Sequence, residues 1–243
     1  MVQRQDPSTT KPVAVITGGS QGLGLALAEA LAEAGWALVI DARRSDRLST
    51  AAADLARVTD VIAVPGDVTD PEHRRALAHA AAQLGPVRLL VNNASTLGTS
   101  PLPDLHDLDP DVWHRIFDVN VVAPIALVRE LDGQWADPAT VVNITSDAGV
   151  EAYETWGGYG STKAALEHAS RVLAAERPDL RVLVVDPGDM RTEMHQDAFP
   201  GEDISDRPEP GAAVPGLTAL ITGDQPSGRY EARTRLTAEP RTP

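Results

Sequence analysis

Three side chains near the middle of the chain have types and a spacing suited to proton transfer. Tyr159 and Lys163 are four residues apart, and Ser146 precedes the tyrosine by thirteen residues. Residues four apart on a helix share one face, so the phenol and the ammonium would point the same way. A phenol titrates near pH ~10, and a nearby ammonium lowers that pKa. The spacing predicts Tyr159 as general acid and base, assisted by Lys163, with Ser146 hydrogen-bonding the reacting oxygen.

A glycine-rich segment near the start of the chain is suited to binding phosphate. Residues 17–24 read Thr-Gly-Gly-Ser-Gln-Gly-Leu-Gly and follow an apolar run at 13–16. A strand, a glycine-rich turn and a helix in succession place free backbone N–H groups at one point, where a pyrophosphate fits. The glycine spacing is not GxGxxG, and such glycines can also simply let the chain reverse. The predicted phosphate-binding residues are Gly18, Ser20, Gln21, Gly22, Leu23 and Gly24.

The elements that must position these residues can be read from the apolar pattern. Short apolar runs alternate with helical stretches, which predicts an α/β fold: a Rossmann-type doubly wound parallel β-sheet flanked by helices on both faces. The predicted strands are 13–16, 37–40, 61–64, 87–91, 140–144 and 182–185. The predicted helices are 25–34, 45–56, 71–83, 111–131 and 158–175.

The domain organisation follows from length and from two changes in composition. Nothing in the 243 residues suggests two domains, so a single domain over 11–236 is predicted, with a flexible segment at 1–10 and a tail at 237–243. Residues 191–210 are polar and carry three prolines. Long loops in compact domains often cover a site. We therefore expect loop or poorly packed helix there, forming a substrate loop at about 189–210.

Charge and composition exclude several function classes. The net charge of −14 argues against a nucleic-acid partner, because such binding rests on clustered Lys and Arg. The absence of cysteine excludes disulfides, thiolate metal sites and a cysteine nucleophile. No His, Asp and Glu cluster has metal-ligand spacing, so no metal site is predicted. The first ten residues do not resemble a signal peptide, and no stretch approaches ~20 apolar residues, so we expect no membrane association and a cytoplasmic location.

Six motifs occur in an order that points to one family. They are Thr-Gly-x-x-x-Gly-x-Gly at 17–24, Asn92-Asn93-Ala94, Asn120, Ser146, Tyr159-x-x-x-Lys163 and Pro187-Gly188. From about residue 12 to 194 the chain resembles the short-chain dehydrogenase/reductase family. Ser95 is a departure, because the family more often has glycine there. After residue 194 there is no clear family signature, and these enzymes usually build substrate specificity in that part.

The resemblance implies a nicotinamide cofactor and roles for individual residues. The turn at 18–24 would contact the pyrophosphate, and Lys163 would also hydrogen-bond the nicotinamide ribose. Asn120 would hold a water that links Lys163 to solvent. Other residues would line the cofactor: Asp67 and Val68 at the adenine, Asn93 and Ala94 in the groove, Pro187 and Gly188 at the start of the lid, and Thr192 at the nicotinamide carboxamide.

The end of the second strand decides between the two nicotinamide cofactors. An acidic residue there would accept from the ribose 2′-OH of NAD, whereas an arginine would pair with the 2′-phosphate of NADP. Counted from Thr17 in the family's spacing, the acidic position falls on Ala42, followed by Arg43 and Arg44. This predicts NADP(H). A shift of one residue would place Asp41 at the acidic position and make NAD(H) the cofactor.

The resulting expectation is an NADP(H)-dependent oxidoreductase that interconverts a carbonyl and a secondary alcohol on a small to medium organic substrate. A sensor of the same fold without turnover, an NAD-dependent alcohol dehydrogenase, and epimerisation or dehydration at the same site are the alternatives. The resemblance also implies a homodimer or homotetramer built on the helices 111–131 and 158–175. Four residues flank the catalytic motifs and could line the substrate or pack internally: Tyr153, Trp156, Met190 and Met194. His195 is expected to be an ordinary loop residue.

Overall fold

Strands and helices alternate along almost the whole of residues 11–233, the part of the chain that the computed structural model describes. The segment predicted to be flexible, 1–10, and the tail, 237–243, lie outside these residues. The strands are β1 (Val13–Ile16), β2 (Ala37–Ala42), β3 (Val61–Pro65), β4 (Val87–Asn92), β5 (Trp135–Ile144), β6 (Leu180–Asp186) and β7 (Gly228–Glu231). The helices are α1 (Gly22–Glu33), α2 (Ser45–Leu55), α3 (Pro71–Leu84), α4 (Pro110–Phe117), α5 (Ala123–Glu130), α6 (Gly157–Glu176), α7 (Glu193–Ala198) and α8 (Val214–Thr222).

The seven strands form one parallel sheet in the order β3-β2-β1-β4-β5-β6-β7, which confirms the predicted doubly wound fold. The strand order reverses between β1 and β4. Ile16, the last residue of β1, pairs with Ile40 of β2 and Val91 of β4, and β2 and β4 continue to Ala42 and Asn92, so the carboxyl ends of all three strands lie at one edge of the sheet. In such sheets ligands bind outside the carboxyl ends of the strands at the point of reversal.

Both faces of the sheet are buried, because the strands are apolar at successive positions. Ala14 and Ile16 pack against Leu27 of α1 on one face. Val13 and Val15 pack with α3 and α5 on the other. Side chains of a strand alternate between faces, so an all-apolar strand requires helices on both sides. Within residues 11–233 no helix is both long enough and apolar enough to cross a membrane.

The helix predicted at 111–131 has a different internal structure. It consists of α4, a π-helical turn at Asp118–Val122 that contains Asn120, and α5. Pro124 has no N–H, so it cannot donate to the carbonyl of Asn120 four residues earlier, and the regular α-helical pattern fails there. Single π turns inside helices are frequent at functional sites. The π turn therefore indicates that Asn120 is a candidate functional residue, independently of any sequence motif.

The C-terminal part holds elements that the apolar pattern did not predict. β5 begins at Trp135 rather than at residue 140. The sequence analysis assigned neither α8 nor β7. β7 has only four residues, three of them half-buried, and it leaves almost no apolar signal. α7 lies in the segment expected to be loop or poorly packed helix, and none of its six residues is fully buried.

Candidate active site

A cavity of about 650 Å³ opens at the carboxyl ends of the central strands and joins the two sites that the sequence predicted separately. Most of the predicted residues line it: Gly18, Ser20, Gln21, Gly22, Leu23, Arg43, Arg44, Asp67, Val68, Asn93, Ala94, Ser146, Tyr159, Lys163, Pro187, Gly188 and Thr192. Gly24 and Asn120 are not among the lining residues. Gly24 instead packs behind Gly18, and Asn120 bonds to Ser95, and both of these partners line the cavity.

The glycine-rich turn at residues 17–24, named the phosphate turn for its predicted ligand, is held tightly against Asn93, the residue that follows β4. Asn93 Nδ2 donates to the carbonyls of Thr17 (2.9 Å) and Gly18 (3.2 Å). Gly18 has a φ of +68°, and a Cβ on Gly24 would lie 2.3 Å from the Gly18 carbonyl oxygen. Only glycine fits at Gly24, so this residue shapes the turn from behind.

The buried side chain of Asp41 stabilises the phosphate turn by a hydrogen bond to its backbone. Its Oδ1 accepts from the Gly18 N–H at 2.7 Å, and its Oδ2 lies 2.8 Å from His73 Nε2. The residue is 1% exposed. Burial raises the pKa of its carboxyl group, and the hydrogen bond to His73 partly offsets that rise. Both carboxylate oxygens are already bonded inside the protein. β2 continues to Ala42, after which Arg43 and Arg44 are exposed.

The residues expected at the adenine lie together beside this turn. Asp67 Oδ1 accepts from the N–H and the hydroxyl of Thr69, and its other oxygen is bonded to Arg115. Val68 packs with Val119, and Ala94 lies against them. This corner therefore offers an apolar surface with a fixed carboxylate at its edge.

Tyr159 and Lys163 lie one helical turn apart on α6, with Lys163 Nζ 5.2 Å from the centre of the tyrosine ring. Nζ also donates to the carbonyl of Ile144 at 2.9 Å. Lys163 is 2% exposed, and burial lowers its pKa to about 8. Burial likewise raises the pKa of Tyr159, with the hydroxyls of Ser95 and Ser146 partly offsetting the rise. The sequence predicted a lowered pKa for Tyr159, but in the protein without cofactor this pKa is raised. Removing the phenolate from water costs more than these hydrogen bonds regain.

Ser146 hydrogen-bonds a carboxylate that the sequence analysis did not single out. Its hydroxyl donates to Asp147 Oδ1 at 2.9 Å, and the Tyr153 hydroxyl donates to Asp147 Oδ2 at 3.1 Å. Asp147 lines the cavity, and its charge contributes to the raised pKa of Tyr159. Asp147 could have been predicted as a site residue from the sequence, because it directly follows Ser146 at the end of a strand.

The side chain of Asn120 is fully used in holding the end of β4. Its Oδ1 accepts from Ser95 Oγ (3.0 Å) and the Thr96 N–H (2.9 Å). Its Nδ2 donates to the Thr96 carbonyl and to Thr162 Oγ1, each at 3.0 Å. The side chain therefore connects the segment after β4 to α6, close to Tyr159.

The start of α7 is fastened to the phosphate turn and to α2. Thr192 Oγ1 accepts from the His195 N–H at 3.1 Å and so begins α7. Glu193 binds Arg47 of α2 at 2.6 Å and accepts from Gln21 Nε2 at 3.1 Å. His195 packs against Phe199, with ring centres 4.9 Å apart, and lines the cavity from α7 rather than from a loop. Arg47 and Glu193 were not predicted as site residues.

One group of potential metal ligands lies away from this cavity. The ligand atoms of Asp104, His106 and Asp107 come within 4.8 Å of one another, and all three residues are exposed. The sequence analysis did not single out this group. None of the three lines the cavity, so they take no part in the site described above.

The doubly wound sheet and the cleft at its reversal point define a nucleotide-binding class of α/β proteins. Within that class, the chain belongs to the short chain dehydrogenase family of oxidoreductases, whose sequence profile matches residues 12–203. The family predicted from the six motifs is thereby confirmed.

Individual relatives have dehydrogenase and reductase names. The rhamnolipids biosynthesis 3-oxoacyl-(acyl-carrier-protein) reductase of Pseudomonas aeruginosa is 34% identical over 186 residues, covering 72% of each chain. An alcohol dehydrogenase from Thermococcus sibiricus, solved with 5-hydroxy-NADP, has a TM-score of 0.81 at 27% identity over 91% of this chain and 95% of that one. A short chain dehydrogenase from Escherichia coli CFT073, solved with NADPH, has a TM-score of 0.83 at 26% identity over 92% and 97%.

Proposed function

We propose that this protein is an NADP(H)-dependent oxidoreductase that interconverts a carbonyl and a secondary alcohol on a small to medium organic substrate. The observation that carries the proposal is that Ser146, Tyr159 and Lys163 line the same cavity as the phosphate turn. In the described residues, 11–233, the two predicted sites form one cleft. We propose that this cleft belongs to a single domain that extends to residue 236.

The residues around the cleft fit a dinucleotide. The turn at 18–24 presents N–H groups at the start of α1, and Gly24 lets the backbone approach closely. Asp67 and Val68 would flank the adenine, Asn93 and Ala94 would line the cofactor groove, and Pro187, Gly188 and Thr192 would lie at the nicotinamide half. When bound, NADP(H) supplies or accepts the hydride, and its oxidised nicotinamide ring adds a positive charge that favours a phenolate nearby.

NADP(H) is preferred in this proposal because of how β2 ends. Asp41 also lines the cavity, but it is 1% exposed and its two oxygens already bond the Gly18 N–H and His73, which argues against it as the acceptor for a ribose hydroxyl. Arg43 is exposed at the mouth of the cleft and has no ion pair within residues 11–233. A 2′-phosphate would give Arg43 a charged partner and would give Arg44 a second one besides Asp46, which lies 3.8 Å away. The relatives solved with NADPH and 5-hydroxy-NADP support this preference, and NAD(H) is the alternative.

In the proposed mechanism Tyr159 donates its proton to the carbonyl oxygen during reduction and removes it from the alcohol during oxidation. Ser146 turns from Asp147 to donate to the substrate oxygen, where negative charge develops. Lys163 stabilises the phenolate by its charge and orients the ribose. Asn120 fixes the segment after β4 by its side chain. Its carbonyl, which Pro124 cannot bond, is the group proposed to hold the water that links Lys163 to solvent.

Two further parts of the proposal concern setting and assembly. A homodimer or homotetramer built on the helices at 111–131 and 158–175 is proposed from the family resemblance. Light scattering of the purified protein would test the assembly. The proposed compartment is the cytoplasm, and cell fractionation would test it.

The test is to incubate the purified protein with NADPH or NADH and a panel of aldehydes and ketones, following cofactor absorbance and identifying the alcohol. We expect consumption of NADPH, and Arg43→Ala to lower the NADPH preference about tenfold, the value of one charge-assisted contact. Arg57→Ala, an exposed arginine paired with Asp54, is the control. Binding without consumption would favour a sensor, and product formation without net consumption would favour epimerisation or dehydration.

A further inference from the structure

Aromatic side chains are concentrated at one end of the cavity. Tryptophan, tyrosine and phenylalanine make up only 4% of the chain, nine residues in all. Four of the nine line the cavity: Tyr153, Trp156, Tyr159 and Phe199. Two of the three methionines, Met190 and Met194, line it as well. A chain that uses few large apolar side chains has thus placed many of them around the candidate catalytic tyrosine.

Four of the rings in this part of the cavity form a row that begins at Tyr159. Trp156 lies edge-on to Tyr159, with ring centres 5.8 Å apart and planes at 72°. Phe199 lies 5.9 Å from Trp156 at 48°, and His195 lies 4.9 Å from Phe199. We call Tyr159, Trp156, Phe199 and His195 the aromatic row. It joins the start of α6 to α7 and its last turn.

The backbone before Trp156 is in a conformation that its sequence does not favour. Thr155 has a φ of +67°, and it is the only residue other than glycine within residues 11–233 with a positive φ. A β-branched residue is strained in this region, and such strain persists only where the surrounding structure imposes it. The placement of Trp156 against Tyr159 is therefore a specific feature of the fold.

The surroundings of the aromatic row are apolar. Leu97, Ala148 and Tyr159 form one buried cluster, and Trp156 and Met194 pack against it. A polar substituent placed here would lose water without gaining a partner, whereas an aromatic ring would gain edge and face contacts. A methionine side chain can adapt its shape to such a ring.

We propose that the substrate carries an aromatic ring near the reacting carbonyl, and that Trp156 is the specificity-determining residue that holds this ring against the aromatic row. The half-buried indole of Trp156 lines the cavity directly beside Tyr159, so a ring bound on it would place the attached carbonyl near the phenol. The inference rests on the proposed function for the reaction at that carbonyl and adds which substituent the carbonyl bears.

The experiment compares three ketones that have the same reacting group: 4-phenylbutan-2-one, 4-cyclohexylbutan-2-one and butan-2-one. Two methylene groups separate each ring from the carbonyl, so the intrinsic reactivity of the three is similar. We expect kcat/KM with NADPH to be about 10- to 100-fold higher for the phenyl compound than for butan-2-one, the value of burying a group of that size. It should also exceed the value for the cyclohexyl compound by roughly a few-fold, because ring edges and faces interact specifically.

Variants of Trp156 test the residue assignment. Trp156→Ala should lower the ratio of kcat/KM for the phenyl compound to that for butan-2-one about tenfold, and Trp156→Phe should retain most of it. The ratio cancels any general loss of turnover, so a merely structural role would leave it unchanged. Trp113→Ala is the matched control, because Trp113 is also half-buried, donates to Ser161 and does not line the cavity.

Several outcomes would overturn the inference. Equal kcat/KM for the three ketones in wild type would do so, as would an unchanged ratio in Trp156→Ala. If Trp156→Ala does not fold, Phe199→Ala decides in its place, since Phe199 is half-buried and belongs to the same row.

Failure of the proposed function would be distinguishable from failure of this inference. If no ketone is reduced, saturation-transfer NMR of 4-phenylbutan-2-one with the protein and NADPH decides. Contact to the phenyl protons that is lost in Trp156→Ala would support the inference although the proposed function fails. Absence of that contact in wild type would overturn the inference too.

Discussion

The two halves of the cleft hold their polar side chains in different ways. In the cofactor half, Asp41 and Asn93 bond to the backbone of the phosphate turn, and Asp41 is 1% exposed. In the half formed by the segment after β5 and by α7, Asp147 and Glu193 are exposed and bond mainly to other side chains. The first half is built into the ends of the sheet. The second can rearrange without disturbing the sheet, which suits the part of the cleft that is proposed to bind the substrate.

Gly24→Ala should have the largest effect on stability and on cofactor binding, because Gly24 packs against the phosphate turn in the cofactor half of the cleft. The new Cβ would lie 2.3 Å from the Gly18 oxygen and 2.6 Å from Asn93 Nδ2. Overpacking of this kind costs about 3 kcal/mol of unfolding free energy, and the turn must shift. We expect urea unfolding to report that loss, together with a large loss of NADPH affinity. Gly211→Ala is the control, since its Cβ would meet nothing within 4 Å. Equal NADPH affinity in both variants would contradict the account.

Asp41→Ala should destabilise the protein by about 2–3 kcal/mol, because it leaves the Gly18 N–H and His73 without their buried partner. Cofactor affinity should fall for NADPH and NADH alike. Asp60→Ala, which removes an exposed partner of Lys11, should change stability by less than about 1 kcal/mol. A selective loss of NADH affinity in Asp41→Ala would instead identify Asp41 as the ribose ligand.

Lys163→Met should stabilise the protein by about 2 kcal/mol at neutral pH while removing activity. Burial lowers the pKa of Lys163 to about 8, so the folded state disfavours its charge. That cost is fully present below the folded pKa and fades as pH rises from about 8 towards the ordinary lysine value. The gain should therefore shrink at higher pH. Lys11→Met, at an exposed ion pair, should give no gain. A destabilised Lys163→Met would mean that the lysine is structural.

Glu193→Gln should have the smallest effect. Exposed ion pairs contribute about 0–1 kcal/mol, so stability should barely change. Because Glu193 fastens α7 to Arg47 and Gln21, NADPH should dissociate a few-fold faster, as stopped-flow fluorescence would measure. Added salt should produce a similar increase in wild type. Glu202→Gln, an exposed residue of the same segment, is the control, and the same rate in both variants would contradict the fastening.

The comparison also explains what could be predicted from the sequence. The strands around the phosphate turn are short apolar runs that bury both faces, so their pattern is unambiguous. The placement of Tyr159 and Lys163 one turn apart on α6 could be predicted from their four-residue spacing. The π turn at Asp118–Val122 was not predicted, although Pro124 provided a local signal. The pairing of Asp41 with His73 joins residues 32 apart, and no local pattern carries such a contact.

The direction of the pKa of Tyr159 was another quantity that spacing could not give. The four-residue repeat identifies a cation nearby, and that alone predicts a lowered value. Burial of the phenol depends on how α6, the segment after β4 and α7 pack around it, and it outweighs the other influences on the pKa. Contacts between side chains of distant segments decide such quantities.

The central claim is that Tyr159 carries the proton in an NADP(H)-dependent reaction. Its most direct test measures NADPH binding and NADPH consumption side by side in wild type and Tyr159→Phe. The account predicts turnover lower by about 10²–10⁴, the usual contribution of general acid–base catalysis, with the dissociation constant for NADPH nearly unchanged. Undiminished turnover in Tyr159→Phe would contradict it.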